Sequence, residues 1–494
     1  MPPFRKFVKQ FSHFFGGMVA AQLFSFITFP IFTRVLTKEE YGILGLVTTT
    51  MYFAIAFAKA GLSDGIIRFY NEYSKAPEKK EIFSSTVVSR GFVLAVLTSL
   101  AFVLFFPFFQ KTLKINENYT TCFMIMALYL FSNPLNIIVM RMLRVNDKTL
   151  LINVINIVGK TASVGLSLIF LIYVFRAFYG YFIGVVTAEL MTLVVLYSWF
   201  FKHYRVTPSL ISRDLSVKMI KFGAPLLLAE LAFLLISYSD RYLIVAYLGE
   251  QDLGLYSVGY NIAMYIGNII LFSLQYSMVP ISVQIYGDEG KEKVEAFLNK
   301  CLRYVLIAII PMWFGYLAIS KELFIILASA KYAAAATFSP LILLSYFLGA
   351  VSAVFDARLY LKKKTIITFF IEFSAIILNI GLNLILLKKL GLMGASISAV
   401  ASSLVATILF MIVSNRYFRI KIEIGSVLYY TGVSCIMFLV VTQINTGVIW
   451  MNLILKIMTG AVLVALAVLF KENEIRENIR KYIRGGSDKD LSIG

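Results

Sequence analysis

Charge, cysteine and histidine are all scarce in this sequence. Only 15% of its 494 residues are charged, while 59% are hydrophobic, against about 25% charged residues in an ordinary soluble domain. That shortage, with a mean hydropathy of +0.82, excludes a water-soluble fold, because no interior could take in so much apolar surface. Cys122, Cys301 and Cys435 stand singly, which leaves neither a disulfide framework nor a thiolate metal site. His13 and His203 are too far apart to suggest a histidine metal centre. Long polar segments are also missing. The net charge of +19 therefore has no extramembrane domain from which to bind nucleic acid, and it is assigned to anionic lipid headgroups instead.

What is present is a succession of apolar runs, each close to the roughly 20 residues a spanning helix needs. Fourteen spans are predicted: 11–33, 42–61, 85–106, 121–140, 151–174, 177–200, 219–247, 254–280, 302–320, 338–357, 366–387, 391–413, 427–443 and 448–470. The basic start and first apolar run read as a retained span, since the run is too long for a secretory signal and lacks a small-residue cleavage site. With both termini inside, cytoplasmic segments hold 32 Lys and Arg and outer segments 9, the asymmetry that orients membrane proteins. The expectation is an all-α polytopic protein of a bacterial cytoplasmic membrane with both termini cytoplasmic.

The chain repeats itself. "FGG" at 15–17 and "FGA" at 222–224 each open a span, and each is followed by an arginine, Arg34 and Arg241, at an offset of 207. "VLTKEEYGIL" (35–44) lies over "YLGEQDLGLY" (247–256) at 212, matching Leu36 with Leu248 and Gly42 with Gly254. "RVNDKTLLI" (144–152) lies over "YLKKKTIIT" (360–368) at 216, and "AFYGYFIG" (177–184) over "GLMGASIS" (391–398) at 214. Four matches in order make spans 1–6 and 7–12 two parallel repeats. Predicted domains are a six-helix lobe at 1–205, a pseudo-symmetric second lobe at 206–420, two further spans at 421–470 and a basic cytoplasmic tail at 471–494. Such repeats are a transporter architecture, with the substrate site expected between the halves near mid-membrane.

The segments "FTRVLTKEEYGILGL", "DRYLIVAYLGEQDLGLYSVGYNI" and "NIGLNLILLKKLGLMGASISAVAS" resemble the polysaccharide-transport branch of the multidrug/oligosaccharidyl-lipid/polysaccharide exporters, which includes Wzx-type O-antigen flippases. The resemblance covers nearly the whole chain. It implies two six-helix lobes in a V with two extra C-terminal helices, and a flippase moving polyprenyl-diphosphate-linked oligosaccharide units by alternating access. It implies no enzyme activity and no cofactor beyond proton or sodium coupling. Its implied partners are the lipid-linked oligosaccharide, membrane lipids, a polysaccharide polymerase and glycosyltransferases, with the transporter itself a monomer.

Charged residues within spans are costly enough to require a partner, water or a role. Lys59 and Arg90 lie near cytoplasmic span ends and can snorkel. Lys160 and Glu189 sit ~14 and ~16 Å from the cytoplasmic ends of neighbouring antiparallel helices at 1.5 Å per residue. They are expected to form an ion pair, either fixing helix packing or serving cation coupling. Glu372 and Lys456 look isolated. Arg34 and Arg241, matched in the repeat and each ~28 Å along its span, are candidates to hold the diphosphate with planar guanidinium forks; the alternative is that they reach the outer interface. Asp240, beside Arg241 but about 100° round the helix, and Glu230 are cation-coupling candidates.

Glu230, Leu234, Ser237 and Arg241 form one polar stripe at i, i+4, i+7, i+11. Asn261, Tyr265, Asn268, Phe272 and Gln275 form another, suited to sugar hydroxyls and ring faces or, equally, to hydrogen bonding between helices. Pro30, and Gly223 with Pro225, are expected to loosen their helices for bending.

Three rival readings share this composition. A cation-coupled drug exporter of the same superfamily fits the repeats but typically lacks the last two spans. A lipid II flippase would handle a related cargo. A membrane-embedded glycosyltransferase or polymerase would need a large outer loop with clustered acids, and the longest outer segments, 107–120 and 321–337, hold one Glu each and no Asp.

Overall fold

A computed structural model describes residues 3–472 and Arg476, and the regular structure among them is entirely helical. In chain order the helices are α1 (Pro3–Val35), α2 (Lys38–Lys59), α3 (Leu62–Tyr73), α4 (Pro77–Leu113), α5 (Thr120–Val145), α6 (Thr149–Ile169), α7 (Tyr179–His203) and α8 (Arg213–Leu248). They continue as α9 (Glu250–Asp288), α10 (Lys291–Leu327), α11 (Ser339–Leu361), α12 (Thr365–Leu390), α13 (Leu392–Asn415), α14 (Ile424–Thr442) and α15 (Ile449–Lys471). Helix is what lipid dictates, since a backbone crossing hydrocarbon must satisfy every N–H and C=O within itself.

Among the described residues twelve spans are long and apolar enough to cross a membrane, and α8 adds a thirteenth when its arms, Arg213–Leu235 and Ser237–Leu248, count as one span bent by 49°. The expected first span falls on α1, where the side chains of residues 18 and 20–25 lie outside the described residues. The expected basic tail at 471–494 lies outside them too, apart from Lys471, Glu472 and Arg476. The bend in α8 comes ten residues beyond Pro225, so the proline is not where this helix turns.

The chain forms two compact units, an N-terminal unit of Glu39–Gly254 and a C-terminal unit in which the chain up to Lys38 joins the chain from Leu255 onward. This division is not the one at 205/206 expected from the repeat, because each repeat gives up its first helix: α1 packs in the C-terminal unit and α8 in the N-terminal one. The expected separate segment 421–470 likewise belongs to the C-terminal unit.

Glycines explain how α8 is received. At the left-handed Gly61 (φ 72°), between α2 and α3, a Cβ would stand 2.3 Å from the Cα of Gly223 in α8, and a Cβ on Gly223 would stand 2.3 Å from the Gly61 carbonyl oxygen. Gly42 and Gly254, paired in the repeat, also abut: a Cβ on Gly42 would fall 2.8 Å from the Gly254 nitrogen. Around these crossings the N-terminal unit packs a core that includes Leu62, Phe83, Val139, Leu196 and Met219.

The repeat recurs as geometry at two helical hairpins. A Cβ on Gly180 would lie 2.7 Å from the Phe170 carbonyl oxygen, and one on Gly394 would lie 2.2 Å from that of Leu386. The two glycines are matched in the repeat, so α6–α7 and α12–α13 each close through the same small residue.

In the C-terminal unit, α15 lies antiparallel on α10 with Ala318, Met437 and Val441 packed in the seam that α10 shares with α14 and α15. Arg303 of α10 donates from Nη2 to Glu472 Oε2 (2.7 Å) just beyond α15, and Tyr430 of α14 donates to the other oxygen of Glu472 (3.0 Å). At the opposite end of the seam Lys456 of α15 pairs with Glu322 of α10. Lys456, which looks isolated in sequence, is thus a buried ion-pair partner.

Candidate functional site

Three helices of the N-terminal unit frame a polar cavity. α7 packs along both α5 and α6, which meet each other little, and the space left between them has a volume of about 540 Å³. Each helix turns a helically spaced set of polar residues toward it: Tyr129, Asn133 and Asn136 from α5, Asn156, Lys160 and Ser163 from α6, and Glu189 and Thr192 from α7. Ile137, Met140, Ile155 and Val185 supply apolar wall.

The carboxylate of Glu189 is held from α5. Asn133 Nδ2 donates to its Oε1 at 3.0 Å and Asn136 Nδ2 at 2.7 Å, while Asn133 also donates to the Tyr129 hydroxyl at 3.1 Å. An ionised carboxylate only accepts, so it fixes which end of each amide faces it. Asn136, 5% exposed, is left with a buried Oδ1 that has no hydrogen-bond partner.

The expected ion pair between Lys160 and Glu189 is absent, since the hydrogen bonds that Glu189 accepts come from Asn133 and Asn136. Both residues line one cavity.

The other sequence-predicted residues lie elsewhere. Glu230 accepts from Lys59 at 2.6 Å within the N-terminal unit, so Lys59 pairs with a neighbouring helix instead of snorkelling. Arg90 donates to Ser216 at 3.2 Å. Arg241 is 5% exposed and donates from Nη1 to Thr49 Oγ1 at 2.8 Å, tying α8 to α2, with its guanidinium 4.8 Å from the centre of the Tyr238 ring. Asp240 beside it is also buried and Ser237 half-buried. Arg34 donates to the carbonyl of Ile326 at the end of α10 (2.6 Å) and to that of Pro30 in its own helix (2.9 Å).

Along α9, Asn261, Tyr265, Asn268 and Gln275 are half-buried. Tyr265 packs edge-on against Phe26 and Phe29 of α1, ring centres 5.4 and 6.2 Å away. Among the described residues no group of three or more His, Cys, Asp or Glu is placed to hold a metal ion.

Sequence reasoning found the two charged residues of the cavity lining, Lys160 and Glu189, and missed the amides. The signal was there: Tyr129, Asn133 and Asn136, like Asn156, Lys160 and Ser163, run i, i+4, i+7, the spacing of one helix face.

Comparison with known proteins places this architecture. Residues 7–286 match the family described as polysaccharide biosynthesis protein, and residues 225–385 match the MatE family. The chain is 24% identical over 314 residues to the succinoglycan biosynthesis transport protein ExoT of Rhizobium meliloti (strain 1021), a match spanning 62% of this chain and 60% of that relative's length. Among solved structures, the lipid II flippase MurJ in an inward closed conformation superposes with a TM-score of 0.73 at 15% identity, over 93% of this chain and 99% of MurJ. An inward-facing multidrug resistance MATE transporter gives 0.63 at 16% identity, over 80% and 94%. The structural likenesses establish the fold. This is a multi-pass membrane protein. With more than half of its length matched, the chain belongs to the polysaccharide biosynthesis protein family, in the polysaccharide-transport branch of the multidrug/oligosaccharidyl-lipid/polysaccharide exporter superfamily.

Proposed function

We propose that this protein is a flippase that moves polyprenyl-diphosphate-linked oligosaccharide units across the bacterial cytoplasmic membrane by alternating access, for assembly of O-antigen, capsule or exopolysaccharide. The match of residues 7–286 to the polysaccharide biosynthesis family carries the reading. Similarity to a succinoglycan transport protein supports the cargo class.

Physical chemistry divides that cargo in three. The polyprenyl tail stays in lipid, along the apolar side chains that α14 and α15 leave exposed, among them Leu428, Leu439, Trp450 and Leu466. The diphosphate goes to Arg241, which exchanges the Thr49 hydroxyl for phosphate oxygens gripped two at a time. The glycan needs amides and hydroxyls. Proton or sodium uptake at Asp240 or Glu230 resets the cycle.

Deleting the gene should cause lipid-linked oligosaccharide to accumulate on the cytoplasmic side and surface polysaccharide to disappear. Wild-type protein should restore both. Arg241→Ala should restore neither at equal membrane abundance, with Arg241→Lys between. Unchanged surface polysaccharide in the deletion strain would end this reading. The match of residues 225–385 to the MatE family favours one alternative, cation-coupled drug export; in that case the deletion strain becomes drug-sensitive and keeps its polysaccharide.

A further inference from the structure

The cavity framed by α5, α6 and α7 is much larger than an ion requires. Its volume of about 540 Å³ is that of roughly 18 waters at ~30 Å³ each, and it falls inside the ~300–1,000 Å³ range of small-molecule sites. A bare cation binds where several oxygens converge on one point, at about 2.0–2.6 Å for the hard divalent ions. Here Oε1 of Glu189, the acidic group of the lining, is already covered by two amide donors.

The lining offers hydrogen bonds of both senses. Glu189 accepts, Lys160 donates, and the hydroxyls of Ser163 and Thr192 do either. The lining holds one basic and one acidic side chain, so no cluster of one sign invites a charged ligand. Apolar wall from Ile137 and Met140 of α5 alternates with these polar groups. A ring that carries several hydroxyls, each donor and acceptor at once, and that presents C–H faces between them, answers every feature of this lining.

We propose that this cavity is a glycan subsite that takes one uncharged sugar unit of the cargo. The inference rests on the flippase reading above and names the part of the cargo that the N-terminal unit recognises.

Saturation-transfer NMR on the full-length protein in lipid nanodiscs tests it, with methyl glucoside, methyl glucuronide and glycerophosphoethanolamine as probes. Methyl glucoside should give a signal in the wild type, and the glucuronide a weaker one. Ser163→Leu, which fills the cavity, and Asn156→Ala, which removes an amide from its exposed side, should each cut the glucoside signal about fivefold or more, the size expected for about 1 kcal/mol. Either variant suffices if the other fails to fold.

Signal from glycerophosphoethanolamine alone would make the cavity a lipid-headgroup site and overturn the proposal. So would the absence of glucoside signal, or glucoside signal retained by both variants. The deletion strain separates the two readings. Accumulated lipid-linked oligosaccharide together with no sugar binding refutes the subsite alone, whereas no accumulation refutes the flippase.

Discussion

Gly180 and Gly394 show how much can hang on the absence of one carbon. Alanine at 394 would put a Cβ 2.2 Å from the Leu386 carbonyl oxygen. That atom is backbone, so the hairpin of α12 and α13 must open to admit it. Overpacking of this kind costs about 1–3 kcal/mol, and Gly394→Ala should lower the detergent-solubilised melting temperature measurably, with Gly180→Ala doing the same at α6–α7. An unchanged melting curve for both would show that these crossings are looser than the distances say. Lys59 and Glu230 are a weaker case. With Glu230 39% exposed, a double-mutant cycle on the pair should return about 1 kcal/mol or less, falling as salt rises.

At the scale of elements, the ends of the α10–α15 seam decide how the last hairpin is held. Glu322 and Lys456 are 15% and 8% exposed, so truncating either strands a buried charge at a cost of about 3–5 kcal/mol. Lys456→Met should destabilise the protein strongly, and Lys456→Met with Glu322→Met should recover much of the loss, as read by thermal melts of the purified variants. A double variant no better than the single one would mean the pair is not the source of the effect.

These partners were illegible in sequence. Glu322 and Lys456 are 134 residues apart and Arg303 and Glu472 are 169 apart, and no periodicity links residues on helices whose adjacency only folding decides. Helix faces were legible, because i, i+4, i+7 spacing is a property of one helix. The amides of α5 and α6 were there to be read; which helices would gather round a common space was not. The bend of α8 was misplaced as well: Pro225 lies inside the helix, yet the turn between its two arms comes only after Leu235.

For the whole molecule, the repeat was visible as four matched segments and as an offset, yet the compact units it builds were not. Sequence similarity records ancestry of a segment, while a unit records which helices share a core, and here the first helix of each repeat packs with the descendants of the other. A chain divided at 205/206 should therefore give fragments that are degraded when expressed singly, each lacking a helix of its unit. Co-expression should restore both to the membrane. Stable accumulation of the 1–205 fragment alone, judged by pulse-chase, would contradict the exchange of α1 and α8.

The two ion pairs along α10 and α15 have opposite polarity: the cation is on α10 in one and on the α15 side in the other. They stand ~24 Å apart along α15 at 1.5 Å per residue. Had the final helix entered the bilayer upside down, Lys456 would face Arg303 and Glu472 would face Glu322, so that both ends would repel. The pairing of α15 with α10 therefore has a direction built into it: these four charges neutralise one another in one orientation of the helix and not in the reverse.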